Sequence, residues 1–300
     1  MTSLPTRRLD DSDLEVTVVG LGCNNFGRRI GLEETRAVVD AALDAGVNFL
    51  DTADVYGSSE DLLGEVLEGR RDQVVLATKF GMDRSRELPG APGSAEYVHA
   101  ACERSLRRLR VETIDLYQYH VPNPRVPIAE TLGAMDELVR EGKVLCVGVS
   151  NFSAEQLEEA CEAAHVVSLQ NEYNLLRREI EREVVPACER LGVSVIPYFP
   201  LASGLLTGKY RRGKTAPNDS RLANRDEIAT DADWDKIEAL ERFASERGVD
   251  LIDVAVGWLV ARPMVASVIA GAKRPEQARR NARAGLWRPT EEDLALLDEL

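Results

Sequence analysis

Four side chains in the first half of the chain, Asp51, Tyr56, Lys79 and His120, are of types that could act together on one oxygen atom. A phenol with a pKa of about 10 is a weak acid at neutral pH, but an ammonium beside it stabilises the phenolate and lowers that value. Lys79 can be that ammonium. Asp51 would keep Lys79 charged and oriented, while His120 would hydrogen-bond a carbonyl oxygen beside the Tyr56 hydroxyl. Such a group protonates an oxygen on which negative charge is developing.

Singly, each has a structural explanation: Asp51 as a turn cap, Lys79 as a snorkelling cation, His120 as a satisfied core histidine. Their placement argues for more, because Asp51, Lys79 and His120 each directly follow an apolar run. Such runs are short and alternate with longer amphipathic stretches, as βα units do when their strands are buried on both faces. Strands are expected at 16–19, 47–50, 74–78, 114–119, 144–149, 166–169, 193–197 and 265–269, and helices at 33–45, 94–109, 128–141, 154–163, 179–191 and 251–261. Ser153 ahead of Gln156 reads as a capping box, and Gly46, Gly142 and Gly192 stand where left-handed caps end helices.

Eight alternations predict an α/β fold, a closed (β/α)8 TIM barrel, and 300 residues suit one such domain over 1–300. The turn Gly20-Leu21-Gly22 lacks the third glycine of an open dinucleotide-binding sheet. Residues 1–15 read as an N-terminal β-hairpin expected to plug the barrel floor. Extra helices are expected after strand 7, near 234–246, and at the C-terminus, and the long 199–231 segment should serve the active face.

In such a barrel the carboxyl ends of the strands share one mouth. The second to seventh strands end in Asp51, Lys79, His120, Ser150-Asn151, Gln170 and Tyr198. Convergence of such different groups marks a catalytic site. The chemistry fits hydride transfer to a carbonyl, but none of these groups can supply hydride, so a nicotinamide cofactor is implied. Ser150, Asn151 and Gln170 suit its carboxamide, and the Tyr198 ring offers a stacking face.

At these residues the chain resembles the aldo-keto reductases, the branch with potassium-channel β subunits included. Asp51-Thr52-Ala53-Asp54-Val55-Tyr56-Gly57, Ala77-Thr78-Lys79-Phe80 and Asp115-Leu116-Tyr117-Gln118-Tyr119-His120 are similar to the family's tyrosine, lysine and histidine segments, and Gly148-Val149-Ser150-Asn151-Phe152 and Gln170-Asn171-Glu172-Tyr173-Asn174 to its carboxamide contacts. The resemblance implies that Tyr56 is the general acid, Lys79 and Asp51 its tuners, His120 the orienter of the carbonyl and Tyr198 the stacking aromatic. It further implies cofactor contacts from Gly22, Cys23 and Asn24, and a segment from Pro200 through Leu201, Ser203, Gly204 and Leu206 to Lys209 that folds over the pyrophosphate with help from Arg221. The stretch holding Gly271, Lys273, Gln277, Arg280 and Asn281 is similar to the family's adenosine 2′-phosphate site. NADPH is therefore the expected cofactor. Gln277 stands where many members have Arg and Arg280 where many have an acidic residue, which keeps NADH as the alternative.

A net charge of −14 argues against nucleic acid and an anionic membrane as partners, which leaves a small-molecule carbonyl. Five scattered cysteines and three histidines suggest neither a metal site nor a disulfide framework. The N-terminus has no apolar leader, so a cytoplasmic location is expected. Two other readings stand beside the reductase: a cofactor-bound, partner-binding barrel with little turnover, and a non-redox barrel enzyme. Phe26, Phe80, Met82, Val121 and Phe199 are candidates to line the substrate pocket, with 81–92, including Arg84 and Arg86, as a rim. The residues leave the particular carbonyl and the oligomeric state open.

Overall fold

A computed structural model describes residues 3–82, 87–217, 222–223 and 229–300. The chain opens on an antiparallel hairpin, β1 (Thr6–Arg8) and β2 (Glu15–Thr17). One parallel sheet follows: β3 (Val19–Gly22), β4 (Phe49–Asp51), β5 (Val75–Phe80), β6 (Ile114–Tyr119), β7 (Val144–Ser150), β8 (Val166–Gln170), β9 (Ser194–Val195) and β10 (Val268–Gly271). Each pairs with the next in sequence up to β9, and β10 pairs with β3. Val195 N–H donates to Met264 O (2.7 Å), Ala266 N–H to Val195 O (2.9 Å) and Ile269 N–H to Pro197 O (3.0 Å), which joins β9 to the run entering β10 and closes the barrel.

The helices between strands are α1 (Leu32–Asp44), α2 (Ser59–Val66), α3 (Ala95–Leu109), α4 (Ile128–Arg140), α5 (Ala154–Ala163) and α6 (Val184–Leu191). Between β9 and β10 lie α7 (Asp231–Glu246) and α8 (Leu251–Val260), and α9 (Pro275–Ala284) and α10 (Glu291–Glu299) end the chain. The Ser153–Gln156 capping box forms, and Gly46, Gly142 and Gly192 take positive φ of 84°, 74° and 77° at helix ends. No helix among the described residues is long and apolar enough to cross a membrane.

Three expectations shift. The run at 16–19 divides at Val18: Val16 belongs to the hairpin and Val19 to the barrel wall. The helix expected over 179–191 begins as a 3-10 turn (Glu179–Glu181), and α6 starts only at Val184, because Pro186 has no N–H to donate and fits only a first turn. The chain also carries α2, whose eight residues include Gly64. A Cβ at Gly64 would lie 2.4 Å from the Arg108 carbonyl oxygen, so glycine is what lets α2 and α3 approach.

The interior is layered. Leu9, Leu14 and Val16 of the hairpin pack against Phe49, Ala77, Leu116, Val167, Ile196, Ala266 and Ile269, so the hairpin seals the floor as expected. Above them the barrel turns polar. Gly148 faces inward there; a Cβ on it would come within 2.6 Å of Ser168 Oγ and 3.0 Å of Gln118 Cγ.

Candidate active site

Strand alternation positions the site. Phe49, Ala77 and Leu116 point to the floor cluster, so Asp51, Lys79 and Gln118, two residues on, point into the barrel one layer higher. Lys79 is fully buried and Asp51 is 2% exposed. Lys79 Nζ donates to Asp51 Oδ1 (2.6 Å) and to the Thr52 carbonyl (2.9 Å). The other Asp51 oxygen accepts from Gln118 Nε2 (3.1 Å) and Gln170 Nε2 (3.0 Å). Both carboxylate oxygens and the ammonium therefore have partners, which a buried ion pair requires.

After β4 the chain turns back over this pair. Asp54 N–H donates to Lys79 O (3.0 Å) and Tyr56 N–H to Ala53 O (3.0 Å), and Gly57 follows with φ 63°. These bonds set Lys79 Nζ 5.5 Å from the centre of the Tyr56 ring. The His120 ring meets Tyr56 edge-on, centroids 5.8 Å apart. His120 is anchored by its backbone: its N–H donates to Phe80 O (2.9 Å), and its carbonyl accepts from Asn151 Nδ2 (3.0 Å). Its Nδ1 is buried with no hydrogen-bond partner among the described residues. The four residues singled out for chemistry thus meet at one mouth.

Burial pushes the Tyr56 phenol above its ordinary value, and Lys79 pulls it down by less. The acidification expected from Lys79 is present but outweighed, so the phenol holds its proton at rest. Burial works against the Lys79 charge too, yet Asp51, then Tyr56, more than compensate, and the ammonium's pKa is raised. Burial, helped by Lys79, pushes His120 down to about 3. The imidazole is neutral at physiological pH.

Around this core stand the residues expected to hold a cofactor. Ser150 Oγ donates to the Gln170 carbonyl (2.7 Å), and Tyr198 OH donates to Asn151 Oδ1 (2.8 Å), which fixes the Tyr198 ring. Asn151 itself has φ 60°, where asparagine is tolerated. Gly22 ends β3; a Cβ there would meet Ile269 Cγ2 at 2.9 Å. Cys23 is fully buried and its N–H donates to Asp51 O (2.8 Å), whereas Asn24 lies beside Gly271.

From Pro200 to Lys209 the backbone bends repeatedly. Ala202, Ser203 and Gly204 have φ of 45°, 57° and 100°. Three successive left-handed residues turn the chain sharply, with the Ala202 and Gly204 N–H groups donating to the Phe199 and Leu201 carbonyls (2.9 and 2.7 Å). Leu206 is buried beneath, and a Cβ on Gly204 would touch Lys209 Nζ at 2.9 Å, so the ammonium lies across that turn. Gln277 Oε1 accepts from the Lys273 N–H (2.8 Å) at the start of α9, and Asn281 Nδ2 donates to Gly271 O (3.4 Å). Arg280 is held by Asp253 through both Nη atoms (2.7 and 2.8 Å) and by Asp250 (2.8 Å). Arg221, Arg84 and Arg86 lie outside the described residues. Gln118 was not among the residues singled out from the sequence. Its signal was there, in the inward register of Leu116, Gln118 and His120.

The model of the aldo/keto reductase family matches residues 18–300. The chain is 33% identical over 313 residues to the L-glyceraldehyde 3-phosphate reductase of Escherichia coli O157:H7, covering 96% of this chain and 90% of that one. It is 35% identical over 297 residues to the aldo-keto reductase YhdN of Bacillus subtilis (strain 168), covering 94% and 89%. Solved structures similar to it include the glycerol dehydrogenase AKR11B4 from Gluconobacter oxydans, with TM-score 0.85, 31% identity and 98% and 94% coverage. Another is the holo form of aldo-keto reductase AKR11C1 from Bacillus halodurans, with TM-score 0.83, 32% identity and 99% and 96% coverage.

Proposed function

This chain belongs to the aldo/keto reductase family, an oxidoreductase of carbonyl and alcohol groups, and from that premise we propose that it reduces an aldehyde or ketone with NADPH, Tyr56 acting as the general acid. The observation that carries the reading is the buried Lys79–Asp51 pair beneath Tyr56 with a neutral imidazole at its edge. Bound NADPH would supply the hydride. The protein's share is the proton. Tyr56 gives it to the carbonyl oxygen, and the phenolate left behind sits in the field of an ammonium that Asp51 keeps charged. That field matters only once charge has moved, so it favours the transition state over the resting enzyme. His120, unable to accept a proton above about pH 3, donates an N–H to the same oxygen without competing for the proton.

The residues present suit the cofactor. The amides of Asn151 and Gln170 and the fixed Tyr198 ring suit a nicotinamide, and Lys209 lying across the 202–204 turn suits the pyrophosphate. With Arg280 neutralised by Asp250 and Asp253, we assign the 2′-phosphate chiefly to Lys273, Gln277 and the amino end of α9. Titration with NADPH and NADH, read by protein fluorescence and followed by a carbonyl panel with wild type and Tyr56→Phe, tests this. Both proteins should bind NADPH alike, and the variant's kcat should fall by about 10²–10⁴. Undiminished turnover in the variant would remove Tyr56 from the mechanism, and failure to bind either cofactor would remove the redox reading.

A further inference from the structure

We propose that Arg28, on the loop from β3 to α1, is an anchor for an anionic group on the substrate, so that the preferred carbonyls carry a carboxylate or phosphate a few bonds from the reacting carbon. The proposal rests on the carbonyl-reductase reading above and concerns which carbonyls it takes. The Arg28 guanidinium carbon lies 5.9 Å from the centre of the Tyr56 ring, within the span of a short-chain molecule whose carbonyl oxygen meets the phenol. The placement is built. Arg28 donates through Nη2 to the Val55 carbonyl, and Gly57, at φ 63°, leaves room for its stem, since a Cβ there would sit 3.0 Å from Arg28 Cγ. The loop itself is tied down by N–H groups of Arg29 and Ile30 on the Asn25 carbonyl (2.9 and 3.3 Å).

Six arginines elsewhere, Arg70, Arg71, Arg104, Arg108, Arg177 and Arg280, each lie against a carboxylate. Arg28 is exposed and, among the described residues, pairs with no carboxylate, and its planar fork has more donors than one carbonyl can use. On a chain of net charge −14, which repels anions at long range, an uncompensated guanidinium beside the acid selects for them locally.

The test measures kcat/KM for two matched pairs, succinic semialdehyde against its methyl ester and glycolaldehyde phosphate against glycolaldehyde, in wild type, Arg28→Gln and Arg28→Lys. Wild type should favour the charged member of at least one pair, which also tells carboxylate from phosphate. Arg28→Gln should lower that charged-to-neutral ratio about tenfold or more, and Arg28→Lys should restore part of it. The wild-type preference should also shrink with added salt. A ratio that Arg28→Gln leaves unchanged, or a rise in the NADPH KM in place of a change in the ratio, would overturn the assignment while leaving the reductase reading intact. No turnover of any of the four probes or of the carbonyl panel would overturn that reading and this one with it.

Discussion

Replacing Asp51 by Asn keeps the size of the side chain and removes the charge that Lys79 sits on. Among the described residues this carboxylate is the only anion paired with the fully buried Lys79 ammonium, at 2.6 Å, and its second oxygen serves two glutamine amides. An asparagine can face its oxygen to the glutamines or to Lys79, not to both, so an N–H donor is left pointing at a donor. Breaking a buried pair from one side costs about 3–5 kcal/mol. The pH dependence carries the sharper test. In wild type the Lys79 pKa is raised, so the pair's contribution is fully present below the ordinary lysine value of about 10.4 and is lost only as pH rises through the folded value. In Asp51→Asn the main force opposing burial is gone, and the folded pKa should drop below that of the unfolded chain. The deficit relative to wild type should therefore be greatest at neutral pH and shrink as pH rises toward about 10, because the variant sheds the proton it cannot house. Urea unfolding followed by tryptophan fluorescence at about pH 7 and pH 9.5 measures both. A deficit under about 1 kcal/mol, or one independent of pH, would refute the account of Asp51 as the partner that keeps Lys79 charged.

Two further outcomes follow from the geometry. His120, held down to about pKa 3, should show no ring protonation by NMR between about pH 8 and 5, and an inflection near 6.5 would contradict its neutral role. Because the folded value lies below that of the unfolded chain, stability linked to His120 is present above about pH 6.5 and is lost as pH falls toward 3, so His120→Asn should be the less acid-sensitive protein. Leu9→Ala, at a fully buried floor position, should cost about 2–5 kcal/mol in the same unfolding assay and leave kcat nearly unchanged, since Leu9 lies at the end opposite the mouth.

Much of this was legible because alternation constrains a buried strand so strongly. Once Phe49, Ala77 and Leu116 face inward, Asp51, Lys79 and Gln118 must as well, and a barrel sends such ends to one place. The floor hairpin was legible as two short apolar pieces on either side of the polar turn Asp10-Asp11-Ser12-Asp13, ahead of the first barrel strand. What stayed hidden depends on partners remote in sequence. Arg280 reads as a free cation until Asp250 and Asp253 arrive from α8, and α2 is too short and glycine-bearing to stand out from a loop. The balance between burial and Lys79 at Tyr56 is a matter of magnitude, which residue types alone do not supply.

The floor has a consequence for the order in which the molecule can be completed. Leu9, Leu14 and Val16 leave the ribosome well before Ile196, Ala266 and Ile269 of their cluster. Arg7 likewise bonds the carbonyls of Val260 (2.7 Å), Arg262 (3.0 Å) and Val265, and β3 finds its outer neighbour only in β10. During synthesis the hairpin's apolar face must wait, uncovered, for roughly the time a whole barrel takes to translate, some tens of seconds at about 5–20 residues per second. Nascent chains stalled before β10 should therefore engage holdase chaperones through residues 4–20, and release should come when residues 264–271 clear the exit tunnel.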